Sequence, residues 1–293
     1  MASNLLEKMN ERVLVGDGAM GTMLQAAGLT AGSCGEIWNV DEPEKIKEIH
    51  RAYLKAGSDI ILTNTFGGSR LRLAEAGLSE RTAELNTAGA EIAREAAEPF
   101  GAVVLGDIGP CGQLMEPFGE VSEEEMLASF RMQAKALVEG GVDALIVETM
   151  TASNEMLAAL LAAKEVCQGL PVIASYSYKK AGDDFRTMMG ETVALCVEEA
   201  SNAGADIIGT NCGMGIDEMI EVVRMIREAT DKPIIAQPNA GLPEMSGGKV
   251  VYKETPEAMV EKVPALIEAG ARIVGGCCGT NPEFIKLLKA KVG

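Results

Sequence analysis

The sequence contains a single histidine, His50, among 293 residues. This scarcity excludes every metal site that needs two or three imidazole ligands, and a Ser-His-Asp triad would have to be built around that one residue. Positive charge is scarce as well, because 26 Lys and Arg face 43 Asp and Glu, which gives a formal net charge of −17. Phosphate backbones and anionic lipid repel such a chain, so we expect neither a nucleic acid nor a membrane as a partner.

Long apolar runs are also missing. No stretch is long enough to span a bilayer, and the first residues lack the apolar segment of a secretory signal peptide. The sequence therefore predicts a cytoplasmic protein. Its seven cysteines are an odd number, and in a reducing compartment they are expected to be free thiols, available for packing, chemistry or metal binding.

What the sequence does contain is a strand followed by a helix, repeated eight times. Short runs rich in Val and Ile predict strands at residues 12–16, 59–63, 103–107, 144–148, 172–176, 206–210, 233–237 and 272–276. Helical spacing of apolar residues predicts helices at 43–57, 81–98, 122–140, 153–167, 191–203, 217–229, 255–269 and 282–291. The strands are nearly continuous in apolar character, which is typical of parallel strands covered on both faces.

This repetition, without a linker or a shift in composition, predicts the α/β class and a (β/α)₈ TIM barrel. We expect a single domain over residues 1–293, in which residues 1–10 form a short N-terminal extension. His50 falls within a helix of the outer ring, so it is interpreted as a partly buried structural residue. In such barrels the chemistry lies at the C-terminal ends of the strands.

The segment after the first strand, residues 16–22, reads GDGAMGT and matches the dinucleotide pattern G-x-G-x-x-G. That interpretation is disfavoured because the carboxylate of Asp17 would meet a pyrophosphate. The favoured interpretation is that the backbone N–H groups of Ala19 and Met20 hold a substrate carboxylate, while Asp17 holds an ammonium group. A tight turn capped by Asp17 is the alternative.

Acidic and polar residues also follow other strands. Glu148 ends the apolar fourth strand, where a carboxylate is costly unless it is solvated or paired, so it is the best candidate for binding a cationic group. Polar residues after the second and third strands, among them Thr63, Asn64 and Asp107, fit either a pocket lining or the capping of loops.

Three cysteines end the sixth and eighth strands: Cys212, Cys277 and Cys278. These strands are two positions apart in a closed barrel, so their ends can face one cavity. Converging thiolates favour a soft metal, most commonly Zn²⁺, and three protein ligands leave a fourth position open for a substrate. Such an electron-rich site suits a fourth sulfur held as thiolate, which favours alkyl transfer to sulfur.

Several alternatives stay open from the residues alone. Cys34 and Cys111 lie on loops after strands and could complete a closed four-thiolate site, and small buried cysteines that only pack would explain the same pattern. A redox-active Cys277-Cys278 pair would give a non-catalytic metal or redox sensor. A barrel lyase could use Lys179 as a Schiff-base amine, with glycine loops holding phosphate.

Six phrases in the sequence resemble one known family. They are GDGAMGTMLQ at 16–25, DIILTNTFG at 59–67, ETM at 148–150, GTNCG at 209–213, PNAGLP at 238–243 and GGCCGT at 275–280. On these motifs the chain is similar to the homocysteine S-methyltransferases, and in particular to the N-terminal homocysteine-binding barrel of cobalamin-dependent methionine synthase. The similarity runs from about residue 10 to the C-terminus.

The resemblance implies a zinc-dependent homocysteine S-methyltransferase. One Zn²⁺ would be bound by the three strand-end cysteines, and the zinc-bound homocysteine thiolate would attack a methyl group to give methionine, without a separate protein base. Glu148 would hold the substrate amino group, and Asp17, Ala19, Met20 and Asn211 would complete the substrate-binding residues.

The donor is left open by this resemblance. A separate corrinoid protein carrying methylcobalamin and a small sulfonium or betaine donor are both expected possibilities. The larger relatives continue into folate and cobalamin domains, so both a free-standing enzyme and a piece of a larger synthase are consistent with the sequence.

Overall fold

The computed structural model describes residues 5–246 and 249–293 and is built around a parallel sheet of eight strands. The strands in chain order are β1 (Leu14–Val15), β2 (Ile60–Leu62), β3 (Val103–Ile108), β4 (Ala144–Met150), β5 (Val172–Tyr176), β6 (Lys179–Ala181), β7 (Asp184–Arg186), β8 (Ile207–Asn211), β9 (Ile234–Gln237), β10 (Glu244–Ser246), β11 (Lys249–Val251) and β12 (Ala271–Val274). Two antiparallel hairpins, β6–β7 and β10–β11, are inserted after β5 and β9.

Helices alternate with the strands of the sheet. They are α1 (Leu5–Glu11), α2 (Met20–Ala26), α3 (Trp38–Asp41), α4 (Pro43–Ala56), α5 (Arg70–Ala74), α6 (Thr82–Ala97), α7 (Glu123–Glu139), α8 (Ser153–Val166), α9 (Val193–Asn202), α10 (Ile216–Ala229), α11 (Pro256–Glu268) and α12 (Pro282–Val292). All eight predicted strands and all eight predicted helices are present, with ends that differ by a few residues. In the described residues, no helix is long and apolar enough to cross a membrane.

The sheet closes almost completely into a barrel, which confirms the predicted TIM-barrel architecture. Its strands pair in the order β1-β12-β9-β8-β5-β4-β3-β2. The remaining seam, between β1 and β2, is bridged where the Asp59 N–H donates to the Val15 carbonyl at 2.7 Å and the Val15 N–H donates to the Asp59 carboxylate at 2.9 Å. Local signals set the helices as expected, since α7 begins with a complete capping box at Ser122.

The interior of the barrel is a separate core from the layer between strands and helices. It is filled by the inward apolar residues of the strands, and α1 adds Leu5 and Met9, which are both fully buried there. The Arg272 guanidinium of β12 donates to the Met9 carbonyl and fixes the helix in place. The predicted N-terminal extension therefore includes a helix that seals the N-terminal end of the barrel.

Three aspartates at this sealed end are each fully partnered. A recurrent phrase, a glycine C-cap followed by an acid, brings Asp59, Asp143 and Asp206 to the starts of strands. Each carboxylate accepts a hydrogen bond from a backbone N–H of the neighbouring strand; the donor is Val15 for Asp59, Val104 for Asp143 and Val172 for Asp206. Each also forms an ion pair, Asp59 with Arg12 and Lys289, Asp143 with Arg94, and Asp206 with Lys164. These aspartates fasten adjacent strands together at the end opposite the predicted chemistry.

His50 lies on α4 in the outer ring as predicted, but it is completely buried instead of partly buried. Neither ring nitrogen has a hydrogen-bond partner among the described residues, and burial lowers the pKa of the imidazole to about 4. The residue is therefore neutral and structural at neutral pH.

Candidate metal centre and substrate pocket

The three predicted cysteines converge at the C-terminal end of the barrel. The Cys212 and Cys278 sulfurs lie 3.9 Å apart, those of Cys277 and Cys278 lie 4.0 Å apart, and all three lie within 4.8 Å of one another. All are free thiols and partly buried. Within the part of the chain that the structure describes, this is the only group of three or more potential ligands of this kind.

The backbone at the ends of β8 and β12, which lie on either side of β9, makes this convergence possible. Cys212 leaves β8 in the left-handed region at φ 58°, and Gly213 follows at φ 73°. The loop after β9 lies between the two cysteine segments and holds both, because the Cys212 N–H donates to the Gln237 carbonyl and the Cys277 N–H donates to the Pro238 carbonyl. The two segments are thus fastened to one common loop.

A tyrosine that the sequence did not single out closes one side of the cluster. The Tyr252 ring lies so close to Gly279 that a Cβ there would approach it to 2.3 Å, which requires glycine at this position. Burial, and then the charge of Cys278, raise the pKa of the Tyr252 phenol. Hydrogen bonds from Cys212 and Cys277 lower the pKa of Cys278.

Two predicted carboxylates lie near the cysteines at this end of the barrel. Glu148 ends β4 and is only 7% exposed, and its Oε2 has no hydrogen-bond partner among the described residues. Burial, and then the charges of Cys212 and Asp17, raise its pKa to about 8. Asp17 is 3% exposed and accepts a hydrogen bond from the Leu62 N–H at 2.9 Å, and burial raises its pKa to about 8.

A third carboxylate, Asp107 on β3, belongs to the same group of buried acids. It is 6% exposed, and its Oδ1 has no partner in the described chain. Burial raises its pKa well above the usual value, and the charges of Glu148 and Asp17 raise it further. Among the residues described, no Lys, Arg or His forms an ion pair with any of these three acids. In the sequence, the position of Asp107 at a strand end was the signal for a role in the site, but the capping of a loop explained that position equally well.

The first strand-end loop is only partly available to a ligand. The Ala19 N–H donates to the Thr280 hydroxyl at 3.2 Å, so it is engaged within the protein, contrary to the expectation of a free group. Met20 begins α2, and its N–H has no acceptor in the described residues. The Thr280 hydroxyl in turn donates to the Cys277 carbonyl, which ties this loop to the cysteine segment.

Asn211 was predicted to contact substrate, whereas the structure directs its side chain to protein groups. Its Oδ1 accepts hydrogen bonds from the Thr149 N–H at 2.9 Å and from the Ser175 hydroxyl at 2.7 Å. Its Nδ2 donates to the Thr149 hydroxyl at 2.7 Å. The amide therefore joins the ends of β4, β5 and β8.

The alternatives raised by the sequence are not brought together. Cys34 donates to Glu36 and Cys111 is buried elsewhere, and neither belongs to the sulfur cluster. A closed site of four thiolates is therefore not formed in this structure. Lys179 is exposed on the β6–β7 hairpin, where no cavity desolvates its amine as a Schiff-base lysine requires.

Comparison of the sequence with known proteins identifies one family. A family model described as homocysteine S-methyltransferase matches residues 14–292. The chain is 33% identical over 306 aligned positions to a methionine synthase of Mycobacterium tuberculosis and 32% identical to that of Mycobacterium leprae. These alignments cover 99% of this chain but only 25% of each relative, so the chain spans about a quarter of their length.

One similar solved structure matches this chain over nearly its whole length. The metallated form of the homocysteine methyltransferase MmuM from Escherichia coli superposes with a TM-score of 0.80 at 26% identity, covering 98% of both chains. Its oxidised form superposes with a TM-score of 0.78, also at 26% identity.

Proposed function

The chain belongs to the homocysteine S-methyltransferase family, and from this premise we propose that it is a zinc-dependent enzyme that transfers a methyl group to the sulfur of homocysteine to give methionine. The observation that carries the proposal is the convergence of Cys212, Cys277 and Cys278. Three free thiols in one cluster suit a reducing compartment, which supports a cytoplasmic location.

The sulfur cluster fits a zinc ion. Tetrahedral coordination with Zn–S bonds of about 2.3 Å separates ligand sulfurs by about 3.8 Å, and the two measured separations here are 3.9 and 4.0 Å. The three thiols are free, and a group of three converging sulfurs suits a metal better than a redox pair, which needs only two. Similarity to the metallated MmuM structure supports the same conclusion.

Zinc held by three cysteines would supply one chemical effect, which is to lower the pKa of a fourth thiol so that homocysteine is a nucleophile at neutral pH. The protein residues then serve to orient the substrate. An orientation that brings the sulfur and the methyl carbon into line lowers the entropic part of the activation barrier, because the two reacting groups no longer have to meet by a bimolecular encounter.

The substrate ammonium group is assigned to the acidic side of the cavity. Glu148 has an unpartnered, buried carboxylate oxygen, and Asp17 adds negative charge beside it. A cation is what this cavity lacks, since buried charges are stable only when paired. The substrate carboxylate is assigned to the loop after β1, where the Met20 N–H is free to donate. The Ala19 N–H is bonded to Thr280, so Ala19 would contact the substrate without donating a hydrogen bond.

The methyl donor is assigned by class only. A separate corrinoid protein carrying methylcobalamin and a small sulfonium or betaine donor both present an electrophilic methyl carbon to the open end of the barrel. The relatives named methionine synthase favour the corrinoid protein. The chain of MmuM, a homocysteine methyltransferase, has nearly the same extent as this one, which favours a free-standing enzyme with a small donor.

The proposal is tested by measuring zinc content and methionine formation from homocysteine with each donor class. Cys212→Ala is expected to lose at least one molar equivalent of tightly held zinc and nearly all turnover. Cys167→Ala is the matched control, because that thiol is buried at the end of α8 and away from the cluster. Unchanged turnover in Cys212→Ala, or the same loss in Cys167→Ala, would contradict the proposed function.

A further inference from the structure

Two residues next to the site adopt a backbone conformation that their side chains disfavour. Thr149, directly after Glu148, has φ 59°, and Cys212, directly after Asn211, has φ 58°. Among the described residues, Gln168 at φ 52° is the one other non-glycine residue in this region. A β-branched residue such as Thr is strained there by about 1 kcal/mol or more, so surrounding contacts must hold it.

The contacts that hold Thr149 come from one side chain. The carboxamide of Asn211 accepts from the Thr149 N–H and donates to its hydroxyl, at 2.9 and 2.7 Å. Asn211 is completely buried, and Ser175 on the intervening strand β5 donates to the same Oδ1. The two hydrogen bonds to Thr149, of about 1 kcal/mol each, are enough to offset the strain there, and the bond from Ser175 holds Asn211 in place.

Thr149 also affects its neighbour Glu148, because it is the next residue in the chain. A backbone held at φ 59° at Thr149 fixes the direction in which the chain leaves Glu148 at the end of β4. The Thr149 hydroxyl accepts from the Asn211 amide, so its own proton is directed away from Asn211. The amide of Asn211 thus sets both the backbone after Glu148 and the orientation of the hydroxyl that follows it.

We propose that Asn211 is a positioning residue that joins the two halves of the site, holding Thr149 and hence Glu148 in a fixed place relative to Cys212. The assignment deepens the proposed function, on which it rests for the identity of the substrate. It replaces direct substrate contact, since the atoms of the amide are directed to Thr149 and Ser175.

The test measures binding, so it does not depend on a methyl donor. Asn211→Ala is expected to bind Co²⁺ about tenfold more weakly in the substrate-free protein, as is usual when a residue that orients a ligand is lost. Its zinc-loaded form is expected to bind L-homocysteine about tenfold more weakly by calorimetry. Ser175→Ala removes one support without a large cavity and is expected to weaken homocysteine binding about threefold, which keeps the proposal testable if Asn211→Ala does not fold.

A rescue separates positioning from general structural support. Glycine adopts positive φ without strain, so Thr149→Gly added to Asn211→Ala is expected to recover at least threefold of the lost homocysteine affinity, while Co²⁺ affinity stays low. Gln168→Gly, the same relief of a left-handed residue at the end of α8, is the control and should recover nothing.

The outcomes are distinct. Wild-type affinities in both Asn211→Ala and Ser175→Ala, or no recovery with Thr149→Gly, would overturn the proposal. Wild-type protein that binds Co²⁺ and homocysteine but forms no methionine with any donor class would overturn the proposed function, while the affinities would still decide the role of Asn211. Failure of the wild type to bind Co²⁺ would overturn both.

Discussion

The two ends of the barrel treat acidic side chains in opposite ways. At the sealed end, Asp59, Asp143 and Asp206 each accept a hydrogen bond from a neighbouring strand and pair with Lys or Arg. At the open end, three acids are more deeply buried and have no cation among the described residues. Folding alone accounts for the first set, whereas the ionised form of the second set is costly unless a ligand supplies the missing positive charge.

This contrast also has an electrostatic signature. Burial tends to raise the pKa of Asp59, but hydrogen bonds from Arg12, Val15 and Lys289 outweigh it and lower the pKa. At the open end nothing outweighs burial, and the pKa of Asp17 rises to about 8. The same residue type therefore stabilises the fold at one end and is destabilising when ionised at the other, as is common where binding is favoured over stability.

The largest effect is expected at Glu148. Glu148→Gln keeps the size of the side chain and removes the charge, so zinc-loaded protein should bind L-homocysteine about a hundredfold more weakly, the usual loss when one partner of a buried charged pair is removed. Binding of 4-sulfanylbutanoate, which lacks the amino group, should be nearly unchanged. Calorimetry with both ligands measures the difference.

Glu120→Gln provides the control for this change, because that acid is exposed in the loop after β3. An equal loss of affinity for both ligands in Glu148→Gln would show that the carboxylate does not recognise the ammonium group.

The next effect is a dependence of stability on pH. The pKa of Asp17 is about 8 in the folded protein and near 3.8 when unfolded, so between pH 4 and 8 the folded state binds more protons. Its contribution to stability is therefore present below pH 4 and is lost as pH rises, at up to about 1.4 kcal/mol per pH unit. In metal-free protein, Asp17→Asn should make this slope less steep by the contribution of one carboxyl, while Glu148 and Asp107 keep contributions of the same sign, as urea denaturation at pH 5, 6 and 7 would measure.

Asp59 should give the opposite sign. Its lowered pKa contributes stability above its unfolded pKa, and that contribution is lost as pH falls through the folded value. Asp59→Asn is expected to reduce the free energy of unfolding by about 2 kcal/mol at pH 7, because it leaves Arg12 and Lys289 with a neutral partner. Homocysteine affinity should stay unchanged, since the residue is at the sealed end.

Asp231→Asn is the matched control for Asp59, as an exposed aspartate whose substitution should change stability by less than about 0.5 kcal/mol. If Asp59→Asn lowered the free energy of homocysteine binding by more than it lowered the free energy of unfolding, the two ends of the barrel would not have separate roles.

The division also explains what the sequence could and could not predict. The eight strands were predicted because the spacing of apolar residues is a local feature of the sequence. The cluster of Cys212, Cys277 and Cys278 was predicted because a barrel brings the C-terminal ends of its strands together. The roles of Asn211 and Tyr252 were not, because each depends on a partner tens of residues away. Hydrogen-bond partners across strands are set by register and loop path, which carry no local signature in the sequence.

The smallest expected effect concerns Asp107, and it bears on how far the open end is built for binding. Its Oδ1 has no partner in the described chain, and Glu148 and Asp17 lie close enough to raise its pKa. Asp107→Asn removes a buried acid from this group, so we expect the substrate-free protein to gain about 1 kcal/mol in the free energy of unfolding.

Homocysteine affinity should fall only about threefold in Asp107→Asn, because Glu148 carries the main contact with the ammonium group. Asp183→Asn, an exposed acid on the β6–β7 turn, should change neither quantity. A loss of stability in Asp107→Asn would place this acid with the partnered aspartates of the sealed end, since a carboxylate that stabilises the ligand-free protein is one the fold itself requires.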